Sequence, residues 1–204
     1  VVLMGAGFIG CIILEALVER GVNLTVVEMG GRMVPRMMNR SAGNMIRRWC
    51  EKKGVAVFTG TRADGVTKEG DGLKVALSNG KALDADLIVV ATGVKPNLEF
   101  LDGSGIETDI GILVNEYLET SASGVFAAGD VAEGFDFSTG ARAVQAIQPT
   151  AADHARAAAL NMTGANARFR GSLGMNVLDT LGLISTSFGL WNGVGGGERA
   201  EVMD

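Results

Sequence analysis

Hydrophobic and polar positions in the first part of the chain form short apolar runs that alternate with helical patterns. Val1 to Met4 is an apolar run, and the segment from Ile9 to Arg20 then has apolar residues at helical spacing. A second strand is expected from Asn23 to Glu28, and it precedes a helical pattern over 41–53, for which Ser41 is the expected N-cap. The order strand, helix, strand, helix predicts a parallel α/β sheet.

The pattern changes after a third apolar run, Val55 to Thr59. Short segments follow, separated by turn-forming residues at 69–72 and 78–80, which indicate hairpins in an antiparallel meander. A fully apolar strand from Leu87 to Ala91 comes next. Residues 1–96 are therefore expected to form a Rossmann-like domain, of α/β class, with a β-meander in place of a further crossover helix.

The second half of the chain is organised differently. Residues 97–169 contain a Gly/Asp/Asn-rich connection, a short strand expected from Gly124 to Asp130, and a helix expected from Thr150 to Met162. Residues 170–204 mix β-prone residues with repeated glycines, which favours a separate and incomplete β-rich unit. Three domains are predicted.

Composition and charge exclude several classes of function. The 204 residues carry 18 Lys and Arg against 23 Asp and Glu, a net charge of −5, which disfavours nucleic acid and anionic membranes as partners. Two cysteines 39 positions apart and one histidine exclude a zinc site, an iron–sulfur cluster and a local dithiol, so no metal is expected.

The apolar run at the start of the chain is not expected to be a signal peptide or a membrane segment. The uncharged run from Val1 to Leu14 is shorter than the roughly 20 residues that span a bilayer, and no basic region precedes it. A cytoplasmic protein is the prediction. Because the chain begins inside an apolar run without an initiator methionine, a fragment of a longer protein is expected.

A glycine motif directly follows the first strand and opens the first helix. Its three glycines suit a tight turn, close approach of a pyrophosphate to the backbone, and close packing of helix on strand. Free amides and the helix dipole then favour phosphate binding. The alternative is a glycine turn that only serves packing. The motif residues, all candidates for cofactor binding, are Gly5, Ala6, Gly7, Phe8, Ile9 and Gly10.

A carboxylate lies at the end of the second strand. Glu28 follows Gly5 by 23 positions, where it can accept hydrogen bonds from the hydroxyls of an adenosine ribose, and the pair favours NAD(H) over NADP(H). The alternative is a solvated surface residue. Met29 and Arg36 follow in the same segment and are further candidate cofactor-binding residues, although Arg32 or Arg36 could instead reach a 2′-phosphate.

A Gly-Asp pair, Gly129 and Asp130, closes the strand that is expected in the second half of the chain. A carboxylate beside an approachable backbone suits a polyhydroxyl chain and a phosphate, but a turn or cap aspartate fits the residues equally. The wider string from Thr120 to Asp130, together with Ala91 to Asn97 and the glycine motif, closely resembles the FAD-dependent pyridine nucleotide-disulfide oxidoreductase family, which includes NADH oxidases, coenzyme A-disulfide reductases and rubredoxin or ferredoxin reductases.

The resemblance implies a domain assignment. Residues 1–96 would be the NAD(H)-binding domain, 97–169 the C-terminal part of an FAD-binding domain, and 170–204 the incomplete start of an α+β interface domain through which the longer protein forms a homodimer. The family's first FAD motif, and any redox cysteine, would precede Val1. The isolated chain is thus expected to bind NADH without stable FAD binding.

The same resemblance implies site residues. Asp130 would bind the FAD ribitol and a neighbouring phosphate, and Gly129 would give access to them. Thr92 and Gly93 match the segment that leads back to the FAD domain. The start of the next helix would lie beside the flavin pyrimidine ring, and it comprises Pro149, Thr150 and Ala151.

The implied activity is transfer of hydride from NADH to FAD and then of electrons to a disulfide, to oxygen or to a small redox protein. One departure stands out, since Ile12 occupies a position that is usually acidic in the family. A non-catalytic NAD-binding sensor or assembly module is the alternative. Cys11 and Cys50 are expected to be packing residues and His154 a solvated helix residue, so no catalytic residue is assigned.

Overall fold

The computed structural model describes residues 1–198 and 200. Its helices and strands, in chain order, are β1 (Val2–Met4), α1 (Phe8–Glu19), β2 (Thr25–Glu28), α2 (Arg40–Lys52), β3 (Ala56–Thr59), β4 (Ala63–Glu69), β5 (Gly72–Leu77), β6 (Ala82–Ala85), β7 (Ile88–Val90), β8 (Ile112–Leu113), β9 (Ala132–Phe135), β10 (Arg142–Val144), α3 (Gln148–Met162), β11 (Met175–Thr180) and β12 (Leu183–Phe188).

A parallel sheet forms the centre of the first compact unit, which contains residues 1–93. The strand order is β3-β2-β1-β7, and all of these neighbours are parallel. Side chains alternate across the sheet, so that Leu3 and Val26 enter one apolar core while Val2 and Val27 enter another. Helices α1 and α2 contribute to the first core.

The antiparallel meander β4-β5-β6 covers the second face of this sheet. Its buried residues Val75, Leu77 and Ala85 complete the core around Val2 and Val27. A sheet buried on both faces explains why its strands are continuously apolar. The meander takes the place that a further crossover helix would occupy, as the sequence predicts.

Helix α2 begins one residue before the expected N-cap. Asn39 has extended backbone, and its Oδ1 accepts a hydrogen bond of 2.9 Å from the backbone N–H of Ala42. The prediction of Ser41 as the cap is therefore wrong, because Asn39 supplies the acceptor and Ser41 already lies within the helix.

The second unit contains residues 94–175. Strand β9 pairs in parallel with β8 and antiparallel with β10. The strand expected from Gly124 to Asp130 does not form: Phe126 makes only an isolated bridge with Glu119, and Gly129, with φ of 77°, opens a 3₁₀ turn. Helix α3 includes Pro149 in its first turn, where a proline leaves no intrahelical hydrogen bond unmade.

The hairpin of β11 and β12 packs within the first unit over residues 176–187. Leu178 is buried in the core that contains Leu3, and the indole N–H of Trp49 donates a 3.1 Å hydrogen bond to the carbonyl of Leu181. The division into domains 1–96, 97–169 and 170–204 stays a prediction. Among the described helices, none is both long and apolar enough to cross a membrane.

Candidate functional site

The turn between β1 and α1 shows what each motif glycine does. A Cβ on Gly5, whose φ is 97°, would lie 2.3 Å from the carbonyl oxygen of Ala91, and a Cβ on Gly10 would lie 2.2 Å from that of Gly5. Both glycines are required for the chain to pack on itself. A Cβ on Gly7 would meet no atom within 4 Å. The backbone at Gly7 therefore faces open space.

Helix α1 presents unpaired donors at the same turn. Gly7 is its N-cap and supplies no side-chain acceptor, and the helix has no acidic residue in its first turn. Within the described residues, the backbone N–H groups of Phe8, Ile9 and Gly10 have no acceptor. These donors and the positive end of the helix dipole suit an anion above Gly7.

Glu28 is fixed at the end of β2, beside the glycine turn. Its side chain is 9% exposed. One carboxylate oxygen accepts a 2.7 Å hydrogen bond from the N–H of Ala6, and the other accepts one of 2.6 Å from the N–H of Gly30. A carboxylate oxygen can accept a second hydrogen bond, so both oxygens keep acceptor capacity. Glu28 is not a loosely solvated surface residue.

The segment after β2 is held in place by Arg32. Its Nε donates to the carbonyl of Met38 at 2.7 Å and its Nη2 to that of Pro35 at 2.9 Å. This guanidinium is engaged by its own loop. Arg36 is exposed instead, and its Nη1 lies 4.0 Å from the position that a Cβ on Gly93 would take. Met29 is 75% exposed.

The end of β7 lies directly against the glycine turn. The carbonyl of Ala91 closes over Gly5, Thr92 is exposed, and Gly93 has φ of 110°. Ile12, one helical turn beyond Phe8 on α1, is 45% exposed. The structure thus brings the glycine motif, Glu28, Met29, Arg36, Thr92 and Gly93 together in the first unit.

The remaining candidates come together in the second unit. Gly129 has φ of 77°, and a Cβ there would lie 3.6 Å from the Cβ of Ala151. Asp130 is exposed on the turn, and Pro149 is exposed in the first turn of α3, whereas Thr150 is 4% exposed. The Gly-Asp pair therefore adjoins the N-terminus of a helix.

Both cysteines are buried in the first core. Burial raises the pKa of the Cys11 thiol to about 12 and that of Cys50 to about 11. The Cys11 thiol donates weakly to the carbonyl of Ala6 at 3.8 Å. Protonated, enclosed thiols are poor nucleophiles, which agrees with a packing role. No group of three or more potential metal ligands occurs among the described residues.

The expectation of a solvated His154 is wrong. The side chain is 1% exposed and meets the ring of Phe169 edge-on, with centroids 4.7 Å apart and an interplanar angle of 85°. Neither ring nitrogen has a hydrogen-bond partner among the described residues, and burial lowers the pKa of the imidazole. Thr150, His154, Ala157 and Ala158 form the buried face of α3, a helical spacing that the sequence already contains.

The chain is similar in sequence to a known protein family and to two of the relatives named below. The sequence profile described as "Pyridine nucleotide-disulphide oxidoreductase" matches residues 1–159. The chain is 38% identical over 163 residues to the epsilon subunit of NADH-dependent phenylglyoxylate dehydrogenase from Aromatoleum evansii, an alignment that covers 80% of this chain and 38% of that protein. It is 30% identical over 170 residues to NADH oxidase from Methanocaldococcus jannaschii, covering 83% and 38% of the two chains.

Solved structures support the fold. A NAD-dependent persulfide reductase from A. fulgidus superposes with a TM-score of 0.83 at 34% identity, over 88% of this chain and 34% of that one. The predicted Rossmann-like α/β fold is confirmed. The chain spans 38% of the length of each of the two curated relatives.

Proposed function

Because the chain belongs to the pyridine nucleotide-disulphide oxidoreductase family, we propose that residues 1–96 form the NAD(H)-binding domain of a flavoprotein oxidoreductase. In such a protein, NADH would supply hydride to FAD, and the electrons would then go to a disulfide, to oxygen or to a small redox protein. The observation that carries the proposal is the open space above Gly7, between unpaired helix donors and the anchored carboxylate of Glu28.

The glycine turn would hold the pyrophosphate of the dinucleotide. The amides of Phe8, Ile9 and Gly10 donate to its oxygens, and the absence of a side chain at Gly7 lets the phosphates approach the backbone. Arg36, exposed beside Gly93, adds positive charge to the same edge of the sheet.

Glu28 would bind the adenosine ribose. Its carboxylate is held by Ala6 and Gly30 and keeps acceptor capacity for the two ribose hydroxyls. A 2′-phosphate would meet this negative charge, and Arg32 is engaged by the carbonyls of Pro35 and Met38. Both facts favour NADH over NADPH. The exposed side chain of Met29 offers an apolar surface to the adenine.

The second unit would contribute part of an FAD site. When bound, the flavin supplies a two-electron acceptor for hydride. Asp130 is exposed beside the side-chain-free Gly129 and the N-terminus of α3. The carboxylate can accept hydrogen bonds from ribitol hydroxyls, and the backbone N–H groups can donate to a phosphate, so these residues fit a ribitol and its phosphate. The helix N-terminus, which includes Pro149, Thr150 and Ala151, stabilises negative charge placed next to it.

The remaining proposals rest on family membership. Residues 97–169 would be the C-terminal part of the FAD-binding domain and 170–204 the start of the interface domain of a cytoplasmic homodimer. The related rubredoxin-NAD(+) reductase of Acinetobacter baylyi is 34% identical over 135 residues, and its name supports a small redox protein as one class of acceptor.

A non-catalytic NAD-binding sensor or assembly module is the second candidate. Ile12 favours it, because a 45% exposed apolar side chain stands on α1 near the nucleotide turn and the first turn of that helix has no carboxylate. Such a protein would bind NADH without passing hydride onward.

The visible spectrum of the full-length protein, recorded anaerobically before and after addition of NADH, tests the proposal. We expect a flavin band that bleaches rapidly with NADH and recovers when the acceptor is admitted. A flavin band that does not respond to NADH would favour the sensor, and the absence of any flavin band would contradict the flavoprotein proposal.

A further inference from the structure

The second unit contains a cavity of about 630 Å³ that the proposed function does not use. We name it the arginine cavity. Three guanidinium groups and two phenyl rings line it, together with a side-chain amide, and these six residues are Phe135, Arg142, Arg168, Phe169, Arg170 and Asn115.

The walls of the arginine cavity are held by specific contacts. Near the end of α3, the Asn161 amide donates to the carbonyls of Tyr117 at 2.8 Å and Ala167 at 2.9 Å, and its Oδ1 accepts from the N–H of Ala167 at 2.8 Å. The N–H of Phe169 donates to the carbonyl of Glu116 at 2.7 Å, and its ring packs on His154. One asparagine thus fixes the segment before Arg168 against the segment after β8.

The three arginines are not neutralised within the described part of the chain. Ion pairs there involve Arg47, Arg62 and Lys74, and no side-chain hydrogen bond is made by Arg142, Arg168 or Arg170. Glu116 is the acidic residue in the lining, and it is not within 4.0 Å of any of the three guanidinium groups. All three side chains are exposed, so the arginine cavity is open to solvent and carries a local positive charge in a chain whose net charge is −5.

The end of α3 that braces the arginine cavity lies away from the proposed flavin residues in the first turn of that helix. Pro149 and Ala151 lie in the first turn of α3, whereas Asn161 braces the cavity from the last turn of this 15-residue helix. At about 1.5 Å per residue, the two positions are about 15 to 18 Å apart along the helix axis.

We propose that the arginine cavity binds a nucleoside phosphate. Guanidinium groups pair with phosphate oxygens in bidentate fashion, which accounts for Arg142, Arg168 and Arg170. Phe135, which is 43% exposed, and Phe169 supply apolar surface for a planar base. The cavity volume falls within the range of about 300–1,000 Å³ typical of small-molecule sites.

Calorimetric titration of the full-length protein with ADP tests this assignment, with NAD⁺ kept saturating so that the dinucleotide site is occupied. We expect one further ADP site per chain, weakened at least tenfold by Arg168→Ala and by Arg142→Ala. Arg48 is an exposed arginine on α2 in the first unit. The control variant Arg48→Ala removes the same charge and should leave ADP binding at the arginine cavity unchanged.

Three outcomes would overturn the assignment: no ADP site beyond the NAD⁺ site, equal weakening by Arg48→Ala, or no weakening by either cavity variant. Inorganic phosphate is the second probe. If it binds as tightly as ADP, the base makes no contact and the nucleoside part of the proposal fails. The Gly7→Ala variant, which places a methyl group in the dinucleotide turn, separates this proposal from the proposed function. If the arginine cavity binds ADP, ADP binding at that site should be unchanged in Gly7→Ala even though NADH binding is weakened.

Discussion

The three glycines of the motif differ in the atoms that a Cβ would meet at each position. The space next to Gly5 and Gly10 is filled by backbone carbonyls of the protein itself, whereas the space next to Gly7 is empty. From the sequence, these glycines are expected to serve a tight turn, the approach of a pyrophosphate and the packing of helix on strand. In the structure, Gly5 and Gly10 are required by the packing of the backbone, whereas the missing side chain at Gly7 leaves space for a ligand.

Alanine at Gly7 and at Gly10 should therefore have opposite effects. Gly7→Ala is expected to change the free energy of unfolding by less than about 1 kcal/mol, since its Cβ touches nothing, yet to weaken NADH at least tenfold. Gly10→Ala should destabilise the protein by about 1–3 kcal/mol, because its Cβ collides with the carbonyl of Gly5. Thermal unfolding and NADH titration of both variants measure this, and a destabilised Gly7→Ala would contradict it.

Glu28→Ala should weaken NADH by about 1–3 kcal/mol, the usual range for lost hydrogen bonds to a charged group. The carboxylate also holds the N–H groups of Ala6 and Gly30, so a loss of protein stability is expected in the same variant. Calorimetric NADH titration gives the affinity. The matched control is Glu19→Ala, which removes an exposed carboxylate on α1 and should leave the NADH affinity unchanged. An unchanged NADH affinity would remove Glu28 from the site.

At the scale of elements, apolar patterning predicted the parallel sheet, the meander and the three helices, because the residues that these elements bury recur at strand or helix spacing. It failed at Gly124 to Asp130, where a positive φ at Gly129 interrupts an extended run, and at Ser41, where a nearby asparagine competes for the cap. The arginine cavity has no signal in the sequence, since Arg142 and Arg168 are brought together only by the tertiary fold.

Helix α3 also buries the single histidine of the chain, which predicts a dependence of stability on pH. Burial lowers the pKa of folded His154 below its usual 6.5, so the unfolded chain binds the proton first as the pH falls. Stability should be full above pH 6.5 and should decline below it towards the folded pKa, by at most about 1.4 kcal/mol per pH unit for one group.

Denaturant unfolding of the wild-type chain and of His154→Leu between pH 7.5 and 5.5 measures this dependence. The variant should lose the decline, because the remaining side chains that titrate near this range are carboxylates with lower ordinary pKa values. Asp153, the neighbouring carboxylate on α3, opposes the effect of burial, so Asp153→Asn should steepen the decline. Parallel wild-type and His154→Leu profiles would show that His154 does not control it.

At the scale of the whole molecule, β1 has a role larger than its three residues suggest. Val2 and Leu3 are adjacent in the chain, yet each belongs to a different apolar core, one completed by the meander and the other by the two helices and the hairpin. If β1 leaves the sheet, both apolar cores lose a buried side chain at the same time. The first unit should accordingly unfold cooperatively, with no stable intermediate that keeps one face of the sheet covered while the other is open.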